Sequence, residues 1–92
     1  MKITTEHYNY MRDTIKAKIA KFPEGTVAQH RERLKAMPHV NDVEKRLRWD
    51  LLYAAGLGGI WVCEVVYPYA NDDHIDTALR QIMKDLNLGE QQ

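Results

Sequence analysis

Residues 67–76 place three carboxylates, Asp72, Asp73 and Asp76, around one histidine, His74. These residue types can bind a cation or move a proton, so the spacing decides. His74 and Asp76 are two apart and would not share a helix face. Ala78, which would share a face with His74, offers no ligand. A calcium loop needs oxygens at alternating positions and a late bidentate glutamate, and Ile75 and Thr77 interrupt that pattern. A carboxylate ahead of a helix, by contrast, accepts hydrogen bonds from the unpaired amides of the first turn and meets the positive end of the dipole. The expectation is therefore a structural cap at Asp73, with Asp76 at the third helical position of a capping box.

No other group assembles chemistry. His7, His30, His39 and His74 contain no pair spaced for zinc. His30 falls on an apolar face, as a hydrogen-bonded core or edge histidine would. Cys63 is the only cysteine; among valines and a tryptophan it reads as an inert buried thiol, and it excludes an intrachain disulfide. Gly56-Leu57-Gly58-Gly59 is not followed by the Lys-Ser/Thr of a phosphate loop. An Asp73/Asp76 acid pair would need residues from a partner subunit. The chain is thus expected to be non-enzymatic, with no catalytic, metal or cofactor site.

Charge points instead to surfaces. From Arg12 to Arg48 ten Lys/Arg face five Asp/Glu; from Trp49 to Gln92 two face seven. The net charge of zero therefore hides a basic part and an acidic part, which would attract each other within the fold or within a homodimer. Two candidate partner-binding faces follow. One is a basic junction made by Arg31, Arg33, Lys35, Lys45, Arg46 and Arg48, which could track the phosphates of a nucleic acid. The other is the exposed side of the last helix, with Asp72, Asp76, Arg80 and Lys84.

The elements that would hold these residues are helical. Tyr8, Met11, Ile15, Ile19 and Phe22 recur at helical spacing after Thr4 or Thr5 as cap, and Pro23 stops that helix. Thr26 with Gln29, and Asn41 with Glu44, have capping-box spacing ahead of two further helices. The first of these carries Leu34 and ends before Pro38; the second carries Leu47 and Leu51, with Trp49 as a core anchor, and Gly56 suits the left-handed residue after its end. Residues 60–67 are rich in Val and Ile, yet no clear strand partner exists. The expectation is a short buried helix, with a strand paired across a dimer as the alternative. A last helix carries Leu79 and Ile82 and ends at Gly89. The fold class is all-α: one small domain over 1–92, of four to five short helices.

Two blocks carry a resemblance. Residues 48–57, "RWDLLYAAGL", and 69–80, "YANDDHIDTALR", are similar to a group of small proteins of tailed phages and prophages. The resemblance spans about the last half of the chain. The group has no established activity, so it implies a setting and no catalytic residue: a small accessory protein in the cytoplasm of a bacterial host. Phage proteins of this size are often binders of host macromolecules, anti-CRISPR proteins among them, which is an analogy of kind. The expected function is a non-enzymatic, anti-defence type of binder of a host protein. A small nucleic-acid-binding or transcription-regulatory helical domain is the alternative. No run of about 20 apolar residues suggests a membrane span, and Met1 to Thr5 carries no basic region followed by an apolar run.

Overall fold

A computed structural model describes residues 2–89. It contains α1 (Thr5–Ala20), α2 (Thr26–Lys35), α3 (Val43–Ala54), one π-helical turn (Val62–Val66) and α4 (Asp72–Asp85), with no strand among the described residues. The all-α class is as expected. No helix among these residues is long and apolar enough to cross a membrane.

Local chemistry sets each boundary. Thr4 caps α1, its Oγ1 accepting from the His7 amide at 3.0 Å. Gly25, at φ 85°, turns the chain into α2 in a conformation that favours glycine. Thr26 is already helical, and its hydroxyl donates back to the Pro23 carbonyl at 2.6 Å, so the expected Thr26/Gln29 box does not form. α3 starts one residue later than expected: Asp42, not Asn41, accepts from the Lys45 amide, and the Glu44 carboxylate is engaged by Arg31 instead. Beyond α3, Gly56 at φ 78° carries the left-handed turn. The Gly56 amide donates to Tyr53 and the Leu57 amide to Leu52, a Schellman closure that buries Leu57.

Residues 60–67 are helical, as expected, but only partly buried. The Tyr67 amide reaches back five residues to the Val62 carbonyl at 2.9 Å, which widens the turn to a π-helix. Val62 and Val66 face inward, and Cys63 and Glu64 face solvent. The Cys63 thiol is therefore exposed, contrary to the expectation of burial, because the apolar run folds as a helix with one wet side.

α4 begins earlier than expected. Asn71, extended at φ −115°, is the cap: its Oδ1 accepts from the His74 amide, and the Asn71 amide donates to His74 Nδ1, both at 3.1 Å. The expected cap, Asp73, lies inside the first turn, because the extended geometry ends two residues before it. At the far end the left-handed residue is Asn87, at φ 56°, and Gly89 lies beyond the helix.

α3 is the central element, packed against α1, α2 and α4. The expected core residues Tyr8, Met11, Ile15, Leu34, Leu47, Leu51, Val62, Leu79 and Ile82 are buried; Ile19 and Trp49 pack at its edge. Leu52 and Ile75, with no exposed surface, complete it. The Tyr8 hydroxyl donates to Asp85, joining α1 to the end of α4. Burial and that carboxylate push the Tyr8 phenol up to about 12.

The cap assignment has a direct test. Asn71→Ala should lower unfolding free energy by about 1 kcal/mol, whereas Asp73→Ala should lose only a dipole contribution of roughly 0.3–1 kcal/mol. Urea denaturation of the two variants measures the difference, and a larger loss at Asp73 would contradict it.

Candidate functional surfaces

Arg48 and Asp76 meet at the contact of α3 with α4. Arg48 is 8% exposed. Its Nε and Nη2 donate to Asp76 Oδ1 at 3.2 and 3.1 Å, and Nη2 also reaches Oδ2 at 3.1 Å. Trp49 Nε1 donates to the same Oδ1 at 3.1 Å, and Arg80 Nε closes on Oδ2 at 3.0 Å. Burial alone would raise the Asp76 carboxyl; bonds from Arg48, Arg80 and Trp49 outweigh it and hold the group below its ordinary 3.8. A carboxylate held this firmly in its charged form joins two helices and does not shuttle protons near neutral pH.

Arg31 behaves in the same way. At 7% exposure it forks onto Glu44 at 2.8 and 3.0 Å and donates to the Leu88 carbonyl at 2.6 Å. Two of the six cations assigned to the basic junction, Arg31 and Arg48, are thus inside the protein, and so is most of Asp76 from the acidic face. This corrects the expectation that these three lie on a presented surface: hydrophobic periodicity does not reveal an arginine whose charge is satisfied internally. The remaining candidates are exposed. Arg33 contacts His30 Nδ1 at 3.3 Å, Lys35 pairs with Glu32, Arg46 pairs with Asp50, Asp72 accepts from the Tyr67 hydroxyl, and Arg80 pairs with Asp76. Lys45 and Lys84 project into solvent.

Among the described residues, His30 and Asp50 form the one arrangement that looks like a base with its orienting carboxylate, 2.7 Å apart. Arg46 holds the other Asp50 oxygen at 3.1 Å, and Arg33 lies against the other histidine nitrogen. Neither ring nitrogen is left facing a substrate. No group of three or more His, Cys, Asp or Glu among the described residues is placed to hold a metal ion.

Two surfaces stand out. The first is an open groove of about 640 Å³ above the Arg48–Asp76 contact. Lys45, Arg46 and Tyr53 line its α3 wall; Tyr67, Asp72 and Asp73 line the opposite one. The Tyr67 hydroxyl donates to Asp72 at 2.5 Å, and that bond, with burial and the adjacent charge, pushes its phenol up to about 12. The Tyr53 ring lies so close over Gly58 that a Cβ there would come within 2.0 Å of it.

The second surface is aromatic. Tyr10 of α1 lies against Trp61, ring centroids 5.3 Å apart, and His7 meets the same indole edge-on at 6.2 Å. Tyr10 is 51% exposed and the neighbouring Ile60 is 75% exposed. The sequence held a signal for this patch that the apolar stripe concealed: Tyr10 stands off the Tyr8–Met11–Ile15 line, on a face α1 does not bury. Compared with family models, curated proteins and solved structures, the chain finds no match in any of the three.

The ion pair at the base of the groove yields two expectations. Arg48→Met should destabilise the protein by about 3–5 kcal/mol by leaving Asp76 undercompensated, and adding Asp76→Leu should recover much of that loss, because the pair itself is costly to desolvate. Thermal unfolding of the single and double variants reads this. The second concerns pH. The folded Asp76 carboxyl titrates below its unfolded value of 3.8, so its contribution is complete above that value and is lost as the pH falls through the folded one. Wild-type stability should fall below about pH 4 more steeply than that of Asp76→Asn, measured by denaturation across the acid range.

Proposed function

We propose that this protein is a non-enzymatic accessory binder of the phage and prophage kind, acting in the bacterial cytoplasm on a host protein through the Tyr10–Trp61–Ile60 surface. The observation that carries the reading is the exposed Tyr10 ring against Trp61, next to an isoleucine that is three-quarters exposed. Tryptophan and tyrosine dominate the energetic centres of protein interfaces, where a rigid ring removes much apolar area from water at small entropic cost. Trp61 also packs on the core, so the anchor is held before a partner arrives. The carboxylates that would be needed for acid–base work support the same reading, since Asp76 and Asp50 are already engaged by arginines. The phage setting rests on the resemblance of residues 48–57 and 69–80, and a defence or gene-expression protein is the class of target that setting suggests.

The nucleic-acid alternative draws less support. With Arg31 and Arg48 directed inward, the outward cations of α2 and α3 are interleaved with Glu32 and Asp50, to which Lys35 and Arg46 are paired. Arg33 and Lys45 are left as the outward cations of these helices without a carboxylate partner among the described residues, a small charge for counterion release along a phosphate backbone.

Tagged protein recovered from a host lysate with nuclease treatment tests the proposal. One stoichiometric host protein should co-purify, and Ile60→Asp or Tyr10→Ala should weaken its affinity by roughly 30-fold or more, the size of an interface hot spot, without moving the melting temperature. Recovery of nucleic acid alone, or capture indifferent to both substitutions, would overturn it.

A further inference from the structure

We propose that the α3–α4 groove seats a second copy of this chain, docked about a two-fold axis that runs along the groove. The observation is the arrangement of charge across it. The α3 wall presents Lys45 and Arg46, with the capping Asp42 at its start, and the α4 wall presents Asp72 and Asp73, with Asp76 and Arg80 beyond them. Most of the groove's charges are already engaged within the molecule: Arg46 with Asp50, Arg80 with Asp76, and Asp72 with the Tyr67 hydroxyl. The Lys45 ammonium and the Asp73 carboxylate are different. Both are exposed, on opposite walls, and neither side chain has an ion pair or hydrogen bond among the described residues.

A two-fold axis along such a groove lays the α3 wall of one protomer over the α4 wall of the other. Lys45 then faces Asp73 of the partner subunit, and the symmetry makes the contact twice. A surface with an unengaged cation on one side of an axis and an unengaged anion on the other is complementary to itself, which neither a polyanion nor a polycation can match. The chain's net charge of zero adds no long-range repulsion between copies.

Apolar area is present at the same place. Tyr53, 60% exposed, and Tyr67 stand on the two walls, and Tyr69 follows close in sequence. Two of the six large hydrophobic side chains exposed among the described residues, Tyr53 and Tyr67, line the groove. A standard interface covers roughly a tenth of a small protein's surface, with aromatic residues at its centre and charges on its rim. The inference does not rest on the proposed function, because no residue of the Tyr10–Trp61 patch lines the groove.

Analytical ultracentrifugation of the full chain provides the test. At low salt the protein should sediment as a dimer in a concentration-dependent equilibrium, and rising salt should favour the monomer, since rim charges are screened. Lys45→Asp and Asp73→Lys should each weaken the dimer by roughly tenfold or more, because each juxtaposes like charges twice. Mixing the two variants in equal amounts should restore it, since each then supplies the sign the other lacks. Circular dichroism of each variant separates lost association from lost fold. Tyr53→Arg, a surface substitution that leaves both charges in place, should also yield monomer. A wild-type monomer at every concentration in low salt would overturn the proposal. So would a dimer indifferent to all three substitutions, or a mixture of the charge variants that fails to associate.

Discussion

The buried contact between Arg48 and Asp76 is the constraint around which the rest of the molecule is arranged. Neither charge tolerates its position alone, because removing an ion from water costs several kcal/mol that only a well-oriented partner offsets. The guanidinium therefore fixes how α3 lies against α4, and the indole of Trp49 and the second arginine, Arg80, complete the coordination of the carboxylate. What resembles an acid–base cluster in the sequence is thereby divided. Asp76 turns inward as an anion, Asp72 binds a tyrosine hydroxyl, and His74 closes the helix cap.

Much of the architecture is legible before any coordinates. The stripes through α1 and α4 name the buried residues almost without error, because period 3.6 is a direct imprint of one face meeting the core. Helix starts are less secure, and the misplacements have a common cause. Asn41 and Asp42, or Asn71 to Asp73, are adjacent residues that can all cap, and only backbone geometry selects among them. The π-turn is hidden for a different reason, since Val62 and Val66 have the same four-residue spacing in either helix type. The interior arginines are hidden because their partners are distant in sequence: Arg31 and Glu44 are 13 residues apart, Arg48 and Asp76 are 28 apart.

The same pairing changes what the charge asymmetry of the chain signifies. The basic part and the acidic part meet through Arg48 and Asp76, and Tyr8 of the first helix reaches Asp85 of the last. Attraction within the fold thus absorbs cations that the sequence would assign to a phosphate-binding face. The outer surface retains a patchwork: an aromatic patch on one element pair, and a two-signed groove on another. The two differ in chemistry, and they share no residue.

The π-turn at Val62–Val66 has a consequence for how this chain can vary. A helix accommodates an extra residue by letting one hydrogen bond span five positions instead of four, so a π-turn is where a surplus residue is stored without breaking the helix. Removing one residue from this segment would restore ordinary winding and rotate everything that follows by about 100°. Tyr67 and the approach to Asn71 would swing away from the groove. The segment is therefore a length gauge. Its residues can be exchanged within their apolar or polar sides, but their number is set by the need to deliver Tyr67 to Asp72.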